Sequence, residues 1–130
     1  MCLIAHRAKV GSHIPNHIIE WNKTANPDGF GLMWRDGGQV KTAKYAPDEF
    51  EFFRNQLKAL DVDKVEYGAH WRNATHGARN REMAHPYEYI DADGTPIALM
   101  HNGIIDIETG KQQSDTLAFV EGVLATLKTG

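Results

Sequence analysis

Residues 30–45 read FGLMWRDGGQVKTAKY, two strand-like runs (30–35 and 39–45) on either side of Asp36-Gly37-Gly38. Glycines supply the positive φ that a tight turn demands, so this stretch predicts an antiparallel hairpin. The pattern recurs downstream, where Tyr87–Ile90 and Pro96–His101 flank Asp91-Ala92-Asp93-Gly94. Strands that arrive as hairpins, with helices set apart from them, predict an α+β layered domain with largely antiparallel sheets.

Working outward, residues 1–6 predict a strand at the chain start, and 15–24 a short helix with Ile14, Ile18 and Trp21 on one face. Asn26-Pro27-Asp28-Gly29 is a strong turn signal. In 47–60, Phe50, Phe53, Leu57 and Leu60 recur at helical spacing behind Pro47, which suits a first helical turn. Residues 64–72 predict a strand, and the polar stretch 73–86 a long functional loop. The last helix is expected over 115–128, with Ser114 as N-cap and Leu117, Val120, Leu124 and Leu127 inward. The expected order is β, α, ββ, α, β, ββ, α.

With 130 residues, 42% of them hydrophobic, and a net charge of −3, the chain fits one domain over 1–130. That balance leaves no basic surface for nucleic acid. No apolar run approaches the ~20 residues a membrane-crossing helix needs, and the apolar start is too short for a signal peptide. A single cysteine excludes an internal disulfide and fits a reducing compartment, so a cytoplasmic location is expected. Among the seven histidines, His13 and His17 are four apart and His70 and His76 six apart. Neither spacing joins a cysteine pair or an HExxH pattern, so no metal is expected. No phosphate-binding glycine loop occurs, so no nucleotide cofactor is expected either.

Cys2 lies directly behind Met1. Removal of Met1 puts the thiol and a free α-amino group on one residue. Such an amine titrates near ~7.7–8.0, so part of it is free to take the thiol proton at neutral pH. Four polar segments are less easily assigned to packing. Asn26–Gly31 suffices as a surface turn. His70–Gly77 places Arg72, a planar fork suited to a carboxylate, at a strand end. His101-Asn102-Gly103 follows an apolar strand and offers amide donors for a developing oxyanion, although Asn-Gly alone is a common turn. Ser114-Asp115-Thr116 reads locally as a helix cap with an acidic first turn.

In order, Cys2, NPDGFG (26–31), HWRNATHG (70–77), His85-Pro86, HNGII (101–105) and SDT (114–116) resemble the glutaminase domain of the class II glutamine amidotransferases, a family of N-terminal-nucleophile hydrolases. The resemblance implies a four-layer αββα sandwich, here reduced in size. It implies that Cys2 attacks the side-chain amide of glutamine with its own α-amino group as base, giving a thioester and ammonia. The side-chain amide of Asn102 and the backbone N–H of Gly103 are the implied oxyanion hole. Arg72 is the implied partner of the substrate α-carboxylate, and Asp115 of its α-ammonium. Thr75, His76 and Gly77 line the implied glutamine pocket, with Asp28 and Gly29 supporting its wall. Asn73 and Leu3 differ from the Trp and Gly that many members carry there. The usual synthase domain is missing, so ammonia is expected to pass to an acceptor on a separate partner protein. His70, His76, His85 and His101 read as pocket supports. Two other readings remain open: an N-terminal-nucleophile amidase acting on another small amide, and a catalytically silent binding or regulatory relative.

Overall fold

A computed structural model describes residues 1–8, 13–110 and 112–127. Strands β1 (Leu3–Arg7), β4 (Tyr67–Trp71), β2 (Phe30–Asp36) and β3 (Gln39–Tyr45) lie side by side in that order, all antiparallel to their neighbours. β5 (Tyr87–Ile90) and β6 (Pro96–Leu99) form a separate two-stranded antiparallel sheet. Helices α1 (Asn16–Ala25), α2 (Phe50–Asp63) and α3 (Asp115–Gly122) complete the described elements, with 3₁₀ turns at Pro47–Glu49 and Leu124–Thr126. The architecture is α+β with antiparallel sheets, as the two hairpins predict. Both hairpins form around the expected turns, with strands at 30–36, 39–45, 87–90 and 96–99.

One face of the four-stranded sheet carries the core. Side chains alternate along a strand, so Phe30, Leu32, Tyr67, Ala69 and Trp71 all point to that face. Ile19 of α1 and Phe50, Phe53, Leu57 and Leu60 of α2 close over them. Phe53 is fully buried, with its ring centroid 5.3 Å from Phe30 and 5.2 Å from Trp71. The four apolar positions expected to face inward from the second helix do so. Arg7, buried at the end of β1, bonds to the Asp61 carboxylate at 2.8 Å and to the carbonyls of Leu60 and Val65. This ties the first strand to the end of α2.

Two helices differ from expectation. In α1 the inward residues are Ile19 and Asn22, while Trp21 is 69% exposed. The helix is thus turned by about one position, which lets Ile19 reach the sheet. The last helix stops at Gly122, and after a 3₁₀ turn Leu127 is exposed. A glycine is a poor helix residue, and the Val123 backbone leaves helical geometry directly after it. Val120 is buried as expected, Leu117 and Leu124 only partly so. The last residue of the expected helix, 128, lies outside the described residues.

On the other face of the sheet, alternation places Gly31, Gly68, His70 and Arg72 toward β5 and the loop before it. Gly31 is the point of closest approach. A Cβ there would lie 1.5 Å from the carbonyl oxygen of His85, so only glycine fits.

Candidate active site

Leu3 pairs with Trp71, so the residue before it, Cys2, comes to the strand end beside Arg72 and Asn73. Leu3 packs on the core, and alternation sends Cys2 to the opposite face, the face of His70 and Arg72. The Cys2 sulfur is held by one residue of the loop. It accepts from the Asn73 backbone N–H at 3.3 Å and lies 3.5 Å from the Asn73 carbonyl, to which its S–H can donate.

The strand ladder extends into the turn before β2. The Arg72 N–H donates to the Gly29 carbonyl at 2.8 Å, and the Asp28 N–H donates to the Arg72 carbonyl at 2.9 Å. Asp28 then accepts from the Ala74 N–H at 2.8 Å and lies 3.2 Å from Nε of Arg79. The NPDG turn thus holds the first residues of the 73–86 loop, while Asp28 and Gly29 themselves lie outside the lining of the Cys2 cleft.

Arg72 is 2% exposed. Its two terminal nitrogens donate to the carbonyls of Ala78 (2.5 Å) and His76 (2.7 Å). Among the described residues no carboxylate lies within 4 Å of it. Burial lowers its pKa from the usual arginine value. Gly77, between its two carbonyl partners, has φ +83°, and a Cβ there would sit 2.7 Å from the Ser114 nitrogen. The loop therefore presses against the start of α3.

Asp115, 6% exposed, opens that helix. Its carboxylate accepts from the Ile105 N–H at 2.6 Å and the Thr116 N–H at 2.8 Å, and it has no cation within 4 Å among the described residues. Ser114 caps the helix as expected, accepting from the Leu117 N–H at 3.1 Å. Its hydroxyl also meets that of Tyr87 at 2.7 Å, and Tyr87 in turn donates to the Met83 carbonyl.

Cys2, Arg72, Thr75, His76, Gly103 and Asp115 line one cleft, together with Asn73, His85, His101 and the residues flanking Asp115. Its open volume is only about 20 Å³, room for one water molecule. An amino acid enters only if the 73–78 loop or the 101–105 segment moves outward. Asn102 is exposed and is not part of the lining, unlike its neighbour Gly103. A larger hollow, about 710 Å³, lies between the start of β3 and the β5–β6 hairpin. Its walls carry no cysteine, histidine or basic side chain.

Three histidines are joined at the Cys2 cleft, His85 and His101 in its lining and His70 behind them. The rings of His70 and His85 stack with centroids 4.0 Å apart and planes 9° from parallel. The His101 N–H donates to Nδ1 of His85 at 3.1 Å, and the His101 carbonyl lies 3.2 Å from Nε2 of His70. The His101 ring itself reaches Oγ1 of Thr116 at 3.1 Å. Reading these residues only as generic supports missed this network, because its partners lie 15 to 31 positions apart and no spacing marks them. His76 is exposed and stands apart from the trio. Among the described residues, no group of three His, Cys, Asp or Glu side chains is arranged to hold a metal ion.

Burial lowers the pKa of His70 to about 4, and burial with the charges of neighbouring groups lowers that of His85 to about 2. Both are neutral in the folded state, whereas in the unfolded chain each titrates near ~6.5. Below that value the unfolded state binds more protons, so stability rises with pH there. The contribution of these two rings is full above about pH 7. As pH falls from ~6.5 toward 4, it is lost at up to ~1.4 kcal/mol per pH unit for each histidine. Thermal melts between pH 7.5 and 4.5 are expected to show a falling midpoint, with a shallower fall in His70→Phe. Identical slopes in the parent and this variant would remove the assignment.

Among the described residues, no helix is long and apolar enough to cross a membrane. Compared with family models, curated proteins and solved structures, the chain finds no significant match in any of the three.

Proposed function

We propose that this protein is a glutamine-hydrolysing enzyme of the class II glutamine amidotransferase type. One observation carries the reading. A buried guanidinium and a buried carboxylate, neither with an oppositely charged partner among the described residues, line the same cleft as the Cys2 thiol. Unpaired buried charges are costly, and a ligand carrying both signs relieves both at once. A free amino acid is such a ligand. Arg72 takes the α-carboxylate, Asp115 the α-ammonium, and the side-chain amide extends toward Cys2.

The chemistry follows from the groups present. Met1 is 82% exposed and open to an aminopeptidase. Once it is removed, the Cys2 α-amine accepts the thiol proton. Sulfur attacks the amide carbon, and the tetrahedral oxyanion collapses as nitrogen leaves with a proton from the α-ammonium. The thioester then reacts with water, activated by the same amine, to give glutamate and the free thiol. The released ammonia passes to an acceptor on a separate partner protein in the cytoplasm. Thr75, His76 and Gly77 shape the pocket entrance, and entry of glutamine moves the Arg72 fork from the His76 and Ala78 carbonyls onto the ligand. Asn102 joins Gly103 at the oxyanion only if the 101–105 segment turns inward. The reduced αββα sandwich belongs to this proposal. It is supported by α1 and α2 on one face of the larger sheet and by α3 against β5.

The test is glutamate release from glutamine by purified protein whose intact mass shows Met1 removed. Turnover of glutamine but not of simple amides is expected. Met-free, folded protein that releases no glutamate would sink the proposal. The narrowness of the cleft favours one second reading, a silent binding relative, and glutamine binding without turnover is its signature.

A further inference from the structure

We infer that His85 is a fixed neutral hydrogen-bond donor of this cleft: its Nε2–H, with the backbone N–H of Gly103, holds the oxygen of the scissile amide as it becomes negative. The inference rests on the glutaminase reading of the site. It starts from the tautomer. The His101 backbone N–H points at Nδ1 of His85 from 3.1 Å, and a backbone N–H can only donate. Nδ1 of His85 is therefore the acceptor, and the ring's single proton sits on Nε2. A second proton would set two donors against each other at Nδ1, so the geometry itself keeps the ring neutral.

The orientation is fixed equally firmly. His85 is 3% exposed, stacked on His70 on one side and against Tyr87 at 4.7 Å between centroids. His70 is locked as well, because its Nε2 faces the His101 carbonyl, which can only accept. One residue's N–H and C=O thus set the tautomers of both rings. Nε2 of His85 has no hydrogen-bond partner among the described residues, yet it is not one of the partnerless polar atoms sealed from solvent, whereas Nδ1 of His70 is. His85 is among the residues that line the Cys2 cleft, which gives an unpartnered N–H on this ring an open side to donate toward.

Its neighbours decide what it donates to. Arg72 already supplies a cation for the substrate carboxylate. A neutral, immobile N–H suits an oxygen whose charge appears only in the transition state, since it needs no reorganisation as the charge develops. Asn102, the side-chain donor expected from sequence, is exposed and outside the lining, whereas His85 and Gly103 both line the cleft.

The experiment compares the parent with His85→Phe, which keeps a stacked ring without the N–H, and His85→Gln, whose side-chain amide can restore an N–H near Nε2. The Phe variant is expected to lose on the order of 10²–10³ in kcat, the usual cost of one oxyanion donor. KM is expected to stay within about threefold, because the interaction is made in the transition state. The Gln variant is expected to recover at least about tenfold of that loss. Alkylation of Cys2 by iodoacetamide creates no oxyanion and should proceed at the parent rate in both variants. Nitrogen-15 NMR of the parent should show His85 neutral at pH 6 and protonated on Nε2, which holds the inference to account even where the Phe variant fails to fold. A charged ring, an Nδ1–H tautomer, or a His85→Phe enzyme as fast as an active parent would overturn it. A parent with no glutaminase activity overturns the reading beneath it instead.

Discussion

Replacing Cys2 with Ala is expected to abolish the proposed glutamate release and to leave the fold in place. The sulfur is partly buried at the chain start, and its contacts are the backbone N–H and C=O of Asn73. Nothing in the core around Phe53 and Trp71 depends on it. Losing one sulfur there costs less than about 1 kcal/mol, a few degrees of melting temperature for a domain of this size. The proposed activity is expected to have no such tolerance, because the sequence offers no other cysteine to form the thioester. Cys2→Ser retains a trace at most, since a hydroxyl is a poor nucleophile near pH 7. Steady-state glutamate release and thermal melts on the same preparations decide the matter. Undiminished turnover in Cys2→Ala removes the nucleophile assignment.

Asp115→Asn is expected to lower kcat/KM for glutamine by about 10²–10³-fold, from losing the charged partner of the α-ammonium (~3–4 kcal/mol). Asn keeps the shape and one acceptor oxygen, so the bond from the Ile105 N–H can persist. Deamino-glutamine, which has no ammonium, should be a poor substrate for the parent and lose little more in the variant. Equal losses for both substrates would reassign Asp115 to structure. Arg72 is a less clean subject. Its guanidinium holds the His76 and Ala78 carbonyls, so Arg72→Lys disturbs the loop and the ligand contact together. A lysine ammonium cannot serve two divergent carbonyls from one point as a planar fork does.

The hairpins were legible because their information is local: a glycine turn between alternating strands needs no distant partner. The same holds for the second helix, whose inward face is written in Phe50, Phe53, Leu57 and Leu60. The first helix was harder. Trp21 looks like a core residue by type, yet Ile19 takes the inward place, because the sheet beneath selects the face and the sheet is assembled from residues up to 71. The end of the last helix depends on how Gly122 competes with two flanking hydrophobic positions, which periodicity alone does not weigh.

In the candidate site, Cys2, Arg72, Gly103 and Asp115 were singled out by sequence, and the fold brings them to one cleft. Asn102 was singled out by the same resemblance and lies exposed beside it. The Asn73 grip on the thiol and the His101 peptide that orients two rings could not be read beforehand. Both are backbone contacts, and backbone atoms are the same in every residue.

The contact at Gly31 bears on which sequence changes this protein can accept. Along β2, Arg35 and Asp36 point to solvent, and many residues can stand there. At position 31 even one methyl group would drive the strand from the His85 carbonyl, and with it the ring stacked on His70. A library randomised along this strand and selected for folded protein should therefore drift freely at its far end and return a single residue at 31. Seven positions of one strand thus span the whole range from neutrality to absolute constraint, and the constraint comes from a neighbour more than fifty residues away in the chain.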